Sequence, residues 1–198
     1  DSFEVVDLSA ACNAGTSNIE TSDGFVWPYN GQNPENTVLK NLPRGAQLFW
    51  GIPFTVGDYE DEDNVFVEVR QGVSDQVALP VGKTAKRLLI AHVCAPVACS
   101  GPTVDGASEL LGGATIAFED GSTHEFPLRR RFEVHDVSAP WGHHPFLCRN
   151  CREFKSVALD DKSMPWGQAQ VGTVKDSNDT GGWWIYDWAN PEPDKAIT

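Results

Sequence analysis

The chain lacks any apolar run near the ~20 residues that would cross a bilayer, so no membrane-spanning helix is expected. It is poor in basic residues. Lys and Arg total 15 against 28 Asp and Glu, a formal net charge of −13. Phosphate backbones are held through excess Lys and Arg, so nucleic acid is not expected as a partner. An anionic membrane surface is disfavoured for the same reason. Neutral ligands, or cations held by carboxylates, suit this charge better, and the acidity also keeps a protein in solution. No G-x-S-x-G, H-E-x-x-H, P-loop or G-x-G-x-x-G pattern occurs, which removes the commonest signatures of hydrolases, zinc proteases and nucleotide-binding enzymes. No long stretch has a helical period, and no internal repeat is visible. No basic, apolar leader precedes Asp1, which reads as a mature or trimmed chain.

What is present is β-like. The 198 residues suffice for one well-packed domain. Short apolar-alternating runs are separated by Gly, Pro, Asn and Asp clusters, a spacing that predicts a sandwich or barrel rather than βαβ units. The expected strands are Phe3–Leu8, Gln47–Val56, Val65–Arg70, Val77–Val81, Arg87–Cys94, Ala114–Glu119, Thr123–Arg131, Lys155–Leu159, Gln168–Val174 and Trp183–Trp188, with one helical turn over Ala107–Leu111. Arg87–Cys94 is apolar on both faces and predicts a central strand covered on each side. Around Asp120-Gly121 a two-residue loop would mix apolar and polar residues on both faces. A three-residue loop, Glu119-Asp120-Gly121, pairs Ile116 with His124 and Ala114 with Phe126. It gathers Ala114, Ile116, Phe118, Phe126 and Leu128 on one face, so it is the register expected. Arg129 and Arg131 then point outward, and Arg130 points inward and needs a carboxylate or backbone partner.

Four segments, in order, resemble a known family. Asn41–Val56 (NLPRGAQLFWGIPFTV) looks like the G-x-P-F strand of a galactose-binding-like jelly-roll domain. Val77–His92 is similar to the strand, turn and strand that follow there. Ala117–Arg129 (AFEDGSTHEFPLR) resembles the Y-x-D-G hairpin, and Trp188–Ile197 (WANPEPDKAI) resembles the closing W-x-N-P-x-P segment. The resemblance spans roughly residues 40–198. It implies an all-β, antiparallel β-sandwich of jelly-roll type over 1–198, and a piece of a larger multidomain protein, because a final strand normally follows the closing segment. It further implies a non-catalytic carbohydrate-binding or accessory module, partnered by carbohydrate or by a catalytic domain of the same polypeptide, in an extracellular or secreted setting. It carries no catalytic residues, and fold alone does not establish function.

Several constellations bear chemistry. A sugar ring offers an apolar C–H face to tryptophan and a hydroxyl rim to polar side chains. In the closing run GGWWIYDWANPEP, alternation puts Trp184, Tyr186 and Trp188 on one face and Trp183, Ile185 and Asp187 on the other. It cannot be one sugar platform, and the three-aromatic stripe is expected in the core. The expected ligand-binding residues are therefore Trp141, His143, His144 and Arg152 on loops, with Trp183. Cys148 and Cys151 form one C-x-x-C. Cys94 and Cys99, or His143 and His144, would have to complete a zinc site, and a Cys148–Cys151 or Cys94–Cys99 bridge or buried thiols are the alternatives. The five cysteines are an odd number, so at least one is left over within the chain. Carboxylates bunched in Asp58–Asn64 could hold calcium, but their spacing departs from an EF-hand loop, and a solvated acidic loop is the expected reading. A small glycosidase or lyase using a histidine base is the competing reading, and an assembly domain is a third. His92, in an apolar strand, is expected as a core histidine.

Overall fold

The computed structural model describes residues 2–15, 42–57, 65–70, 72, 74–94, 108–137, 145–151 and 182–198. Among these the chain is all-β. Its strands are β1 (Gly45–Phe49), β2 (Ile52–Val56), β3 (Lys83–Thr84), β4 (Arg87–His92), β5 (Leu110–Ala117), β6 (Thr123–Arg129), β7 (Arg149–Asn150), β8 (Trp184–Ala189) and β9 (Ala196–Ile197). One 3-10 turn, Ser9–Ala11, is the only helical element among the described residues. The strands pair antiparallel as β1-β2, β3-β9, β4-β8-β7 and β5-β6, and these small sheets are not closed.

β4 and β8 hold the centre. Six register pairs join them, from Arg87↔Ala189 to His92↔Trp184. Successive side chains of a strand point to opposite faces, and here both faces are apolar. Leu89, Ala91 and Val93 of the β4 segment meet Trp183 and Ile185 in one cluster with Leu42, Phe49, Val56, Val137 and Cys151. Leu88 and Ile90 meet Trp188 and Tyr186 in the other, with Phe118, Phe126 and Ile197. Arg87–Cys94 does meet an apolar cluster on each face, as expected, but among the described strands it pairs only with β8 and stands at an edge; β8 is the central strand of that sheet.

The β5-β6 hairpin has the expected register. Ile116 pairs with His124 and Ala114 with Phe126, and the Phe118 N–H donates to Ser122 O at 2.9 Å across the three-residue loop. Gly121 takes φ 81°, a left-handed conformation that costs a glycine nothing. The Asp120 carboxylate accepts from the Ser122 N–H at 2.9 Å and from Lys195 Nζ at 2.8 Å, which ties the loop to the C-terminal segment. The apolar face of this hairpin lies on Trp188, whose ring stacks on Phe126 at 5.6 Å. The prolines and Asn190 after β8 turn the chain: Asn190 Nδ2 donates to Ala85 O at 2.7 Å, and its Oδ1 accepts from the Glu192 N–H at 2.9 Å.

Other elements differ from expectation. Gln47–Val56 is a hairpin, not one strand, because Trp50 (φ 56°) and Gly51 (φ 76°) are both left-handed and reverse the chain. Two left-handed central residues form the turn that matches the twist of paired strands. Phe3–Leu8 joins no ladder. Val65–Arg70 makes only isolated bridges, Phe66 to Ala14 and Arg70 to Ser74. Val77–Val81 is not a strand. Its proline has no N–H for a ladder, and pairing begins only after Gly82, where Lys83 and Thr84 meet Ile197 and Ala196. The helical turn over Ala107–Leu111 is replaced at its described end: Ser108 has φ 67° and Leu110 opens β5. Lys155–Leu159 and Gln168–Val174 lie outside the described residues.

Candidate functional site

The β1-β2 hairpin presents one face inward and one outward. Phe49, Phe54 and Val56 turn in, with the two phenyl rings 5.3 Å apart. Ala46, Leu48, Pro53 and Thr55 turn out and are exposed. With Val5, Gln47 and Phe54 they line an open groove of about 610 Å3. Leu48 is 74% exposed. At the hairpin tip, two residues on, Trp50 is 45% exposed. Its indole Nε1–H donates to the Asn150 carbonyl of β7 at 2.8 Å. A bulky residue with positive φ is an outlier, and such conformations persist only where the surroundings hold them. Here the indole hydrogen bond to a neighbouring strand does so. The result is an oriented surface tryptophan whose only polar atom is already bonded.

A second concentration of functional groups follows β6. Arg129 reaches Glu133 with two donors, Nη2 to Oε1 at 2.5 Å and Nε to Oε2 at 3.1 Å. Burial pushes the Glu133 carboxyl up, and the hydrogen bonds from Arg129 outweigh it, leaving it below its ordinary value. Arg130 turns inward, as expected, and is 6% exposed. It pairs with Asp136 and, through Nε, with Glu109 at 2.9 Å. Cys94 Sγ donates to Asp136 Oδ1 at 3.2 Å, and Arg130 Nη1 donates to that sulfur at 3.4 Å. Burial pushes the Cys94 thiol up, and Arg130 only partly opposes it. The neutral thiol is a poor nucleophile and a poor metal ligand.

Two histidines complete this region. His92 Nε2 donates to the Glu133 carbonyl at 2.7 Å, so the neutral ring carries its proton on that nitrogen. Burial lowers its pKa to about 4. It is a core histidine, as its strand suggested. His135 is 1% exposed and packs its ring 4.9 Å from Trp184, whose Nε1–H donates to Asp136 O at 2.8 Å. The ionisable groups of 129–136 thus brace one end of β4 and β8.

Of the expected ligand residues, Trp141, His143, His144 and Arg152 lie outside the described residues. Trp183 is placed in the core at 6% exposure, with Nε1–H donating to Pro43 O at 2.7 Å and its ring 5.3 Å from Phe66. Of the aromatic stripe, Trp184 and Trp188 are buried and Tyr186 is partly so. Cys94 and Cys148 carry free thiols, so neither a Cys148–Cys151 nor a Cys94–Cys99 bridge forms. Burial pushes the Cys148 thiol up to about 12. Among the described residues, no three His, Cys, Asp or Glu side chains converge to hold a metal ion. Cys99, His143 and His144 of the zinc reading, and the calcium loop Asp58–Asn64, fall outside them.

Trp50 was not among the expected site residues, and alternation does not mark it. Ala46 and Leu48 sit at even positions, as do Ile52, Phe54 and Val56, so the apolar pattern runs unbroken through Trp50-Gly51. The turn is seen only in the structure, where both residues are left-handed.

No family model matches the chain, and neither a curated protein nor a solved structure matches it. Function therefore has to be argued from the site.

Proposed function

We propose that the chain is a non-catalytic jelly-roll β-sandwich module of the galactose-binding-like type that binds carbohydrate, with Trp50 as the stacking platform. The observation that carries this reading is the geometry of Trp50: exposed, held at a hairpin tip, and with its N–H bonded to Asn150 O. A ring so fixed offers its face, not a hydrogen bond, and the apolar C–H face of a sugar is a complementary partner. Fixing the ring before binding lowers the ordering cost of association. The outer face of the same hairpin carries an open groove lined by Leu48 and Pro53, which would give an extended ligand further surface.

Calorimetric titration of the folded chain against a panel of soluble polysaccharides tests this directly. Binding should fall by about thirtyfold with Trp50→Ala, the loss of about 2 kcal/mol expected of a tryptophan anchor, and by less with Trp50→Phe. If no saccharide binds, or if Trp50→Ala binds as well as the parent, the carbohydrate reading fails.

A second reading, packing against a catalytic domain of the same polypeptide, is favoured by the exposure of Leu48 on the outer hairpin face. It predicts that Leu48→Ser leaves saccharide binding intact while weakening association with that domain.

A further inference from the structure

The two long edges of the β5-β6 hairpin are built differently. Along an antiparallel ladder, hydrogen-bonded and non-bonded pairs alternate. The Phe118 N–H donates to Ser122 O, so Phe118, Ile116 and Ala114 bond towards β6, and Ala117, Thr115 and Gly113 aim their backbone groups away from it. On β6 the residues aimed away are Thr123, Glu125, Pro127 and Arg129. That edge is blunted. Glu125 is charged, Pro127 has no N–H, and the Arg129 N–H donates to Glu133 Oε2 at 2.9 Å. Charges, prolines and covered amides are how natural edge strands avoid pairing. Over Leu111–Thr115 (LGGAT) the β5 edge has no charge and no proline. Pairing of that edge starts at its C-terminal end. The Thr198 N–H donates to Ala117 O and the Glu119 N–H to Ala196 O, both at 2.9 Å, across the antiparallel Phe118↔Ile197 bridge. The next residues aimed the same way are Thr115 and Gly113, and among the described residues no strand pairs with them there.

From this contrast we infer a strand-acceptor site: the edge of β5 at Gly113 and Thr115 takes an extended peptide segment that runs antiparallel to β5, in line with β9. In such strand addition the main-chain bonds supply affinity and alternate side chains supply specificity. The two faces of β5 set the alternation. Ala114 and Ile116 pack on the Trp188 cluster, so partner residues opposite them share that face and are apolar. Gly112 leaves room on it, because a side chain there would meet nothing within 4 Å. Thr115 is exposed on the other face, so partner residues beside it are polar. The inference is independent of the carbohydrate reading, since it uses none of the same residues.

The test is selection of a random-peptide library displayed on phage against the full chain, followed by titration of the enriched synthetic peptides into isotope-labelled chain observed by NMR. Enriched sequences should alternate apolar and polar residues, and the Thr115 and Gly113 amide signals should shift most. Affinity should fall about tenfold or more when alternate peptide amides are N-methylated, because each methyl group removes a ladder donor. Thr115→Pro should weaken binding to a similar degree. Its lost N–H points away from β6, so no hairpin bond is broken and circular dichroism should be unchanged. The inference is overturned if no alternating sequence is enriched, or if neither N-methylation nor Thr115→Pro alters binding. It is also overturned if the Thr115 and Gly113 amides exchange slowly in the chain alone, which would mean an edge already paired, or if light scattering shows that a second copy of the chain takes the edge.

Discussion

The two faces of the β4-β8 pair are both apolar but are built differently. The cluster around Trp188 is filled largely by one hairpin, β5-β6, and closed by Ile197. The cluster around Trp183 collects Leu42, the β1-β2 hairpin, Val137 and Cys151, residues far apart in the chain. One face is thus a local unit laid on a strand pair, and the other is a convergence of separate segments. The first has few loops to close before its contacts form, while the second pays the entropy of several. The polar brace of Arg130, Asp136, Glu109 and Cys94 ties the two together at one end.

Three measurements bear on that difference. The largest effect is expected from Trp188→Ala, which removes a ring 4% exposed and stacked on Phe126. Urea denaturation should show a loss of about 4 kcal/mol. Phe49→Ala in the other cluster should cost less, about 3 kcal/mol, because its hairpin is open to solvent on the outer side and can collapse inward. If Phe49→Ala costs as much as Trp188→Ala, the two faces are energetically equivalent and the contrast dissolves. Next comes Arg130→Ala. Removing one member of a buried pair leaves Asp136 uncompensated, and the expected loss is about 3 kcal/mol. Arg130→Met should cost no less, since the stranded carboxylate and not the lost packing is the cause.

The smallest effect is read from pH. The folded pKa of His92, about 4, lies below its ordinary 6.5 because burial disfavours the charged ring. Protons therefore bind the unfolded chain first. The contribution of His92 is fully present above pH 6.5 and is lost as pH falls towards 4, amounting to about 2 kcal/mol after allowance for relaxation of the buried site. His92→Gln keeps a donor for the Glu133 carbonyl but does not titrate. Its stability should fall less than that of the parent over the same window. Equal pH profiles would mean that the brace yields to acid elsewhere.

Much of the Trp188 face was legible in the sequence. The β5-β6 register followed from asking which loop length collects the apolar residues on one side, and the inward turn of Arg130 followed from that register. The closing Trp-Ala-Asn-Pro segment does form a turn, with Asn190 satisfying backbone groups on both sides of it. The Trp183 face was less legible. Its strands were expected at Phe3–Leu8, which joins no ladder, and at Val65–Arg70, which makes only isolated bridges, because alternation reports a half-buried extended segment and not whether a partner strand exists beside it. Trp50 was read as mid-strand because the run was taken as one element. Trp183 was offered as a ligand residue because strand parity separates two faces without saying which of them meets water.

By itself the sequence determined that this is a β protein, where its best hairpin turns, and which side chains of β4 and β8 share a face. Those properties depend on local sterics and on a period of two, which neighbours along the chain are enough to set. Only the tertiary structure decided that both faces of β8 are covered, that Trp50 is exposed at a hairpin tip, and that Arg130 finds its carboxylates in Asp136 and Glu109. Those outcomes depend on residues distant in sequence arriving at one place, and burial is a property of the assembled whole.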